Sequence, residues 1–285
     1  MSAIERLMRG SIDMHVHHGP DPRVERRLDA LQTALQAQEA GMRAIVLKNH
    51  DYPTVPVAYI VGQLAPKVAV LGSISLDYEV GGLNPSAVEA SARMGARVVW
   101  MPTFSAANNR RHVGQTGGIS ILDEKGKTLP VVGEILEIIK QHDMVLASGH
   151  LSATEVSALV KEARGRGLTK IVVTHASEPT VGTLLSLDQQ RDLAAQGAYV
   201  EHCFQSTMPA AARVDPMSLV EQVRGVGAER CILTTDLGQA HNPAPAEGMR
   251  MAVGCMLKCG LSEGEIELLI KENPARLLGL EPGKV

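Results

Sequence analysis

The chain has 285 residues and a mass of 30.4 kDa, 45% hydrophobic and 21% charged, a mix that builds a sizeable core and argues against disorder. A net charge of −3 and a pI near 6.4 exclude a basic footprint for nucleic acid and a polybasic membrane patch. One Trp, two Phe and four Tyr are too few for a base- or sugar-stacking surface, and the ten histidines outnumber them.

The opening residues, MSAIERLMRGSIDMHVHHG, place no apolar run behind a basic start, so no secretory signal is expected there. No stretch of ~18 uninterrupted apolar residues occurs, so no membrane span is expected. Cys203, Cys231, Cys255 and Cys259 form no C-x-x-C and fall in predicted strands and helices, where buried thiols are the natural reading. A cytoplasmic protein acting on a small molecule, without nucleic-acid or membrane partners, is the expectation.

In chain order, short β-branched runs alternate with longer amphipathic stretches. The runs are 11–17, 43–49, 67–76, 96–102, 143–150, 169–176, 197–204 and 230–237. Helical periodicity covers roughly 24–40, 54–65, 85–94, 131–142, 153–166, 186–196, 215–226, 246–258 and 262–278. Ser152 with Glu155, and Ser262 with Glu265, have capping-box spacing, while Gly41, Gly95 and Gly197 separate helix from strand. Eight βα units of this length predict an α/β fold, a (β/α)8 TIM barrel, over a single domain spanning 1–285. A doubly wound open sheet would want a G-x-G-x-x-G turn after an early strand, and none is there.

The connection between Met101 and Pro130 is too long for a plain loop. Its ISILDEKGKTL segment reads as a hairpin turning at Glu124-Lys125-Gly126, so an insertion over about 103–130 follows the fourth strand. In a barrel such an insertion lies over the strand C-terminal face, where a lid carrying Arg110, Arg111 and His112 would meet a substrate. Arg110 and Arg111 are the candidate substrate-binding cations, suited to a carboxylate or phosphate.

Every stave of a parallel barrel delivers its last residues to one rim. The first run ends in His15-Val16-His17, whose two imidazoles share a side; the second ends in Lys48. The fifth ends in Ser148-Gly149-His150, the sixth in Thr174-His175 and the eighth in Thr235-Asp236. Neutral imidazoles converging with a carboxylate suit zinc and similar divalent ions. A lone strand-end histidine is an ordinary hydrogen-bonding residue; it is His15, His17, His150, His175 and Asp236 together that point to a metal site. His18 follows the motif and should face the opposite way; His50, His202 and His241 read as surface or supporting residues near the rim, and of Glu201-His202 one side chain should face the barrel and the other the helices.

Asp13-Met14-His15-Val16-His17, then His150, His175 and Asp236, resembles the signature of the amidohydrolase superfamily of metal-dependent barrel hydrolases. The tail Asn273-Pro274-Ala275-Arg276-Leu277-Leu278-Gly279-Leu280 is similar to an ending common among its members. Stretches such as GGLNP, SGHLS and TDLGQ point to a little-characterised branch. The resemblance implies one or two divalent ions, zinc first, with manganese or iron as alternatives. It also implies hydrolysis of an amide, lactam or related C–N bond by metal-activated water, with Asp236, Lys48 and His175 as catalytic groups. Two-metal members carry a carboxylated lysine on the fourth strand; here that strand reads VVWMPT, so the ion count and the state of Lys48 stay open. Asp13 would anchor the first strand or a ligand. The alternatives are a metal-dependent decarboxylase of a small carboxylated substrate, a phosphoesterase, which fits less well, and a sensing barrel without catalysis. A homo-oligomer is expected from fold analogy alone.

Overall fold

The β-branched runs become strands and the amphipathic stretches become helices, in the expected order. In this computed structural model, which describes residues 1–280, the last five positions of the expected 1–285 domain lie outside the described residues. The strands are β1 (Ile12–His17), β2 (Ala44–Lys48), β3 (Ala69–Leu71), β4 (Ser73–Ser75), β5 (Val98–Trp100), β6 (Val145–Ala147), β7 (Ile171–Val173), β8 (Tyr199–Cys203) and β9 (Cys231–Thr234). All pairings are parallel, in the orders β1-β2-β3 and β4-β5-β6-β7-β8-β9.

β3 and β4 are one stave broken at Gly72, where a Cβ would lie 2.5 Å from Val55 Cα, so the following helix start passes only because the position is glycine. Thr54 and Ser73 stitch the break: their hydroxyls each donate to Leu47 O at 2.7 Å. The other seam closes where His17 N donates to Leu237 O and Asp236 N to His15 O, both at 2.9 Å. Eight staves thus stand in a ring, as a TIM barrel requires.

The barrel interior is filled by alternate residues such as Ile12, Met14, Val46, Val98, Trp100, Val145, Val172 and Ile232. Leu277 and Leu278 plug its lower end from the helix Asn273–Leu278, and Asn273 Nδ2 pins that helix by donating to Ala228 O and Cys231 O, both at 2.8 Å. The residues between pack against the helices in a second, larger layer. Both expected capping boxes form, Ser152 with Glu155 and Ser262 with Glu265. Among the described residues no helix is long and apolar enough to cross a membrane.

Three local expectations change. The first long helix begins only at Ala30, capped by Asp29; the preceding residues cross the rim, where Arg26 bridges Gln239. The last helical stretch is interrupted by a π turn at Leu268–Glu272. In the insertion, the hairpin shrinks to a single antiparallel bridge between Leu122 and Thr128, held off the cavity by Glu155, whose Oε1 accepts from Ser120 Oγ at 2.9 Å and Ile121 N at 3.1 Å. A short helix, Ala107–His112, does the covering instead. Its Asn108 Nδ2 donates to His150 O at 3.1 Å and Val181 O at 3.4 Å.

Candidate active site

The first stave decides which groups can meet. Strict alternation from Ile12 and Met14 would send His15 and His17 outward with Val16 inward. A register shift between Asp13 and Val16 reverses the phase, so Val16 joins the outer layer and both histidines face the barrel axis. Asp13 secures the bulge: its carboxylate accepts from His15 N at 3.2 Å, Thr235 N at 3.1 Å and Thr235 Oγ1 at 2.5 Å. Burial, only partly offset by those bonds, lifts the Asp13 carboxyl to about 6.

His15 Nε2 and His17 Nε2 each lie 3.0 Å from Asp236 Oδ1. His175 Nε2 stands 3.9 Å from Asp236 Oδ2. Behind His15, its Nδ1 donates to Glu201 Oε1 at 3.1 Å, and Glu201 also accepts from Thr234 Oγ1 at 2.9 Å. Lys48, fully buried, has Nζ 2.9 Å from His15 Nε2 and 4.4 Å from the centroid of the Trp100 ring. The fourth stave therefore delivers an indole face to this ammonium. His150 stands one ring further out: its Nδ1 donates to Asn109 Oδ1 at 3.1 Å, and its ring is 5.0 Å from that of His175.

Backbone strain concentrates here. His175 and Asp236 hold φ values of 56° and 52°, left-handed conformations that non-glycine residues rarely adopt. Two glycines make room beside them. A Cβ on Gly149 would lie 2.3 Å from Met101 O, and one on Gly238 would lie 2.2 Å from His17 O.

Charge follows burial and neighbours. Burial is the largest influence on Asp236 and favours its neutral form, but His15 and His17 overcome it and hold the carboxyl well below the carboxylate range. Burial likewise opposes a charged His15, yet Asp236 and Glu201 outweigh it and the net direction is upward. Burial lowers Lys48, pushes His17 and His150 well below ordinary histidine, and takes His50 and His175 down to about 4.

The donor set can be tested for a divalent ion. Ligand atoms of His15, His17 and Asp236 lie within 4.8 Å of one another. Because Nδ1 of His15 gives its proton to Glu201, Nε2 of the neutral ring is a lone pair, and it faces the Asp236 oxygen, a second acceptor. In the charged ring the proton on Nε2 joins the two; a divalent ion, when bound, would take that proton's place. A carboxylate behind a ligating imidazole is also the usual support of a metal-bound histidine. His17 is supported differently: Arg26 Nη2 faces its Nδ1 at 3.3 Å, although Arg26 pairs mainly with Asp21 Oδ2 at 2.6 Å. His15, His17 and Asp236 fit a metal; Cys203, 4.0 Å from His15 Nδ1, keeps a thiol that burial pushes well above its ordinary value.

Above these groups opens a cavity of about 480 Å³. Arg110 lines it; Arg111 is exposed and does not. Arg23 and Arg26 also line it but are engaged by Asp51, Glu79 and Asp21. Arg110 makes no ion pair among the described residues, its Nε donating to Thr116 O at 2.9 Å.

Several groups escape sequence reasoning. Glu201 faces inward to His15 while His202 faces the helices, Nδ1 on Ser177 Oγ at 3.0 Å, so the expected split holds but its sense was open. His50, read from the sequence as a surface or supporting residue near the rim, is buried in the cavity wall. Glu178 is also buried there, with Oε2 lacking a partner among the described residues. Trp100 carried only the signal of a missing lysine.

The fold is similar to that of solved amidohydrolase barrels. Similar solved structures include an amidohydrolase from Pseudomonas aeruginosa, with 11% identity, 98% of each chain covered and a TM-score of 0.66. A lactonase from Listeria monocytogenes aligns at 13% identity over 98% of this chain and 96% of that one, TM-score 0.62. A 2,6-dihydroxybenzoate decarboxylase from Rhizobium aligns at 13% identity over 95% and 99%, TM-score 0.55. No curated protein matches the sequence. The chain belongs to a family of unknown function, DUF6282, whose model matches residues 10–201 and so spans His15 to Glu201 but stops before Asp236.

Proposed function

We propose that the protein is a metal-dependent hydrolase cleaving an amide, lactam or related C–N bond of a small polar or acidic molecule. The observation that carries this reading is the face-to-face placing of His15 Nε2, His17 Nε2 and Asp236 Oδ1, with Glu201 behind His15. A divalent ion on these three residues supplies Lewis acidity and lowers the pKa of water toward ~7. Asp236, held ionised, takes the proton from the attacking water at its free Oδ2 and passes it to the leaving nitrogen. His175 stands beside that oxygen and steers the carboxylate. Lys48, fixed over the Trp100 face, sets a positive charge beside the reacting carbonyl to receive developing oxyanion charge. Arg110, without an acidic partner among the described residues, receives an anionic group of the substrate at the outer wall.

The test joins metal analysis to turnover. Purified protein is expected to hold about one or two equivalents of zinc, manganese or iron, and chelation should lower its Tm. Metal-loaded protein is then screened against small lactams, amides and carboxylated heterocycles for ring opening or amine release. A protein indifferent to chelator in both stability and turnover would overturn the reading. Decarboxylation is the second reading, supported by the likeness to the Rhizobium decarboxylase and by Arg110, which suits a carboxylated substrate equally. Carbon dioxide release from the same panel, without amine release, would favour it.

A further inference from the structure

His50 stands on the cavity wall two residues beyond the second stave, where none of the proposed steps uses it. Its ring is sandwiched between His17, 5.0 Å away at 23°, and Phe104, 4.0 Å away at 26°. The stack fixes the ring plane, and hydrogen bonding fixes which edge faces which way. Nδ1 lies 2.6 Å from Thr103 Oγ1 and 3.7 Å from Asp77 Oδ2. The Thr103 hydroxyl donates its one proton to Asp77 Oδ2, while Asp77 Oδ1 accepts from Thr103 N at 3.0 Å and Ser105 N at 2.7 Å. Both groups near Nδ1 are therefore acceptors, and Nδ1 carries the ring hydrogen. In the neutral ring Nε2 is then a bare lone pair. Among the described residues no donor is paired with it, and the ring lines the cavity.

We propose that His50 contacts the substrate as a hydrogen-bond acceptor, and that its bare Nε2 selects compounds with a free N–H at the bond to be cut: primary amides, N-unsubstituted lactams or ureides. Asp77 and Thr103 are the positioning residues that hold this tautomer. An ester oxygen or N-alkyl nitrogen offers no proton to Nε2 and leaves a buried acceptor unpaired. The inference deepens the hydrolase reading and rests on it.

The test compares kcat/KM for matched pairs of N–H and N-methyl lactams in the metal-loaded wild type, His50→Leu and His50→Gln. Wild type is expected to favour the N–H member by roughly 10- to 100-fold. His50→Leu should bring the pair within about threefold, whereas His50→Gln, which keeps an acceptor, should retain most of the preference. Metal content should stay at the wild-type level in both. A leucine variant that keeps the preference overturns the proposal, and so does one that loses metal, since His50 would then be a ligand. Nitrogen NMR of histidine-labelled wild type reads the tautomer without turnover: the His50 signal must show a protonated Nδ1 and a bare Nε2, and the opposite tautomer overturns the proposal. Wild type that turns over no lactam or amide defeats the hydrolase reading and the selectivity that rests on it, while the NMR result still judges the His50 tautomer separately.

Discussion

Asp236 has two tasks that pull on the same side chain. One oxygen faces two imidazoles at 3.0 Å, and the other lies 3.9 Å from His175. Asp236→Asn keeps the shape but removes the base. The expected outcome is a fall in kcat of about 10²- to 10⁴-fold with an unchanged circular dichroism spectrum. Turnover at the wild-type rate would exclude Asp236 as the base. Glu201 supports the three metal-fitting groups through its bond to His15, so Glu201→Gln should weaken metal binding by roughly 10- to 100-fold in competition with a chelator. At this scale the sequence marks which chemistry-bearing residues end a stave, as for His15, His17, His150, His175 and Asp236. It is silent on Glu201 and Trp100, because a glutamate or indole within an apolar run reads the same whether it faces the axis or the helices. The bulge in β1 sets that phase for the histidines, and no residue in IDMHVH announces it.

Elements were more legible than their joints. The helix over 153–166 is found as Ala153–Gly165 because Ser152 and Glu155 satisfy its first amides, and the one over 54–65 as Val55–Leu64. Hidden features belong to tertiary sterics: the break at Gly72 is dictated by Val55 pressing on the stave. The covering helix Ala107–His112 has only six residues, too few for a periodic pattern to stand out. Gly149 joins β6 to His150 under the same kind of constraint, with φ at 61° and the Met101 and Pro102 carbonyl oxygens 2.3 and 2.6 Å from any added Cβ. Gly149→Ala should therefore lose about 1–3 kcal/mol in urea denaturation and displace His150. Gly165→Ala is the control: nothing lies within 4 Å of a Cβ there, and stability should change little or rise by up to ~1 kcal/mol. Equal losses in the two variants would refute the steric account.

For the molecule as a whole, burial in the barrel favours the neutral form of many histidines, and this makes stability depend on pH. His202 is the clearest case because it lies on the helix side of β8, away from the three metal-fitting groups. Burial lowers it to about 4, with Glu201 pulling the other way, and its Nε2 has no partner among the described residues. An unfolded histidine titrates near ~6.5. Below that value the unfolded chain binds a proton that the folded chain refuses, so folding stability is fully present above it and declines as pH falls toward about 4. One such group accounts for up to ~3 kcal/mol over that window. His50 and His175, also taken to about 4 by burial, pull in the same direction. Metal-free protein should therefore show a urea midpoint that drops steadily between about pH 7 and pH 5, and His202→Gln should flatten the slope by roughly one proton. A midpoint constant across that range, or a glutamine variant with the wild-type slope, would mean that His202 is protonated in the fold and that the polar cluster with Ser177 and Gln222 accommodates its charge.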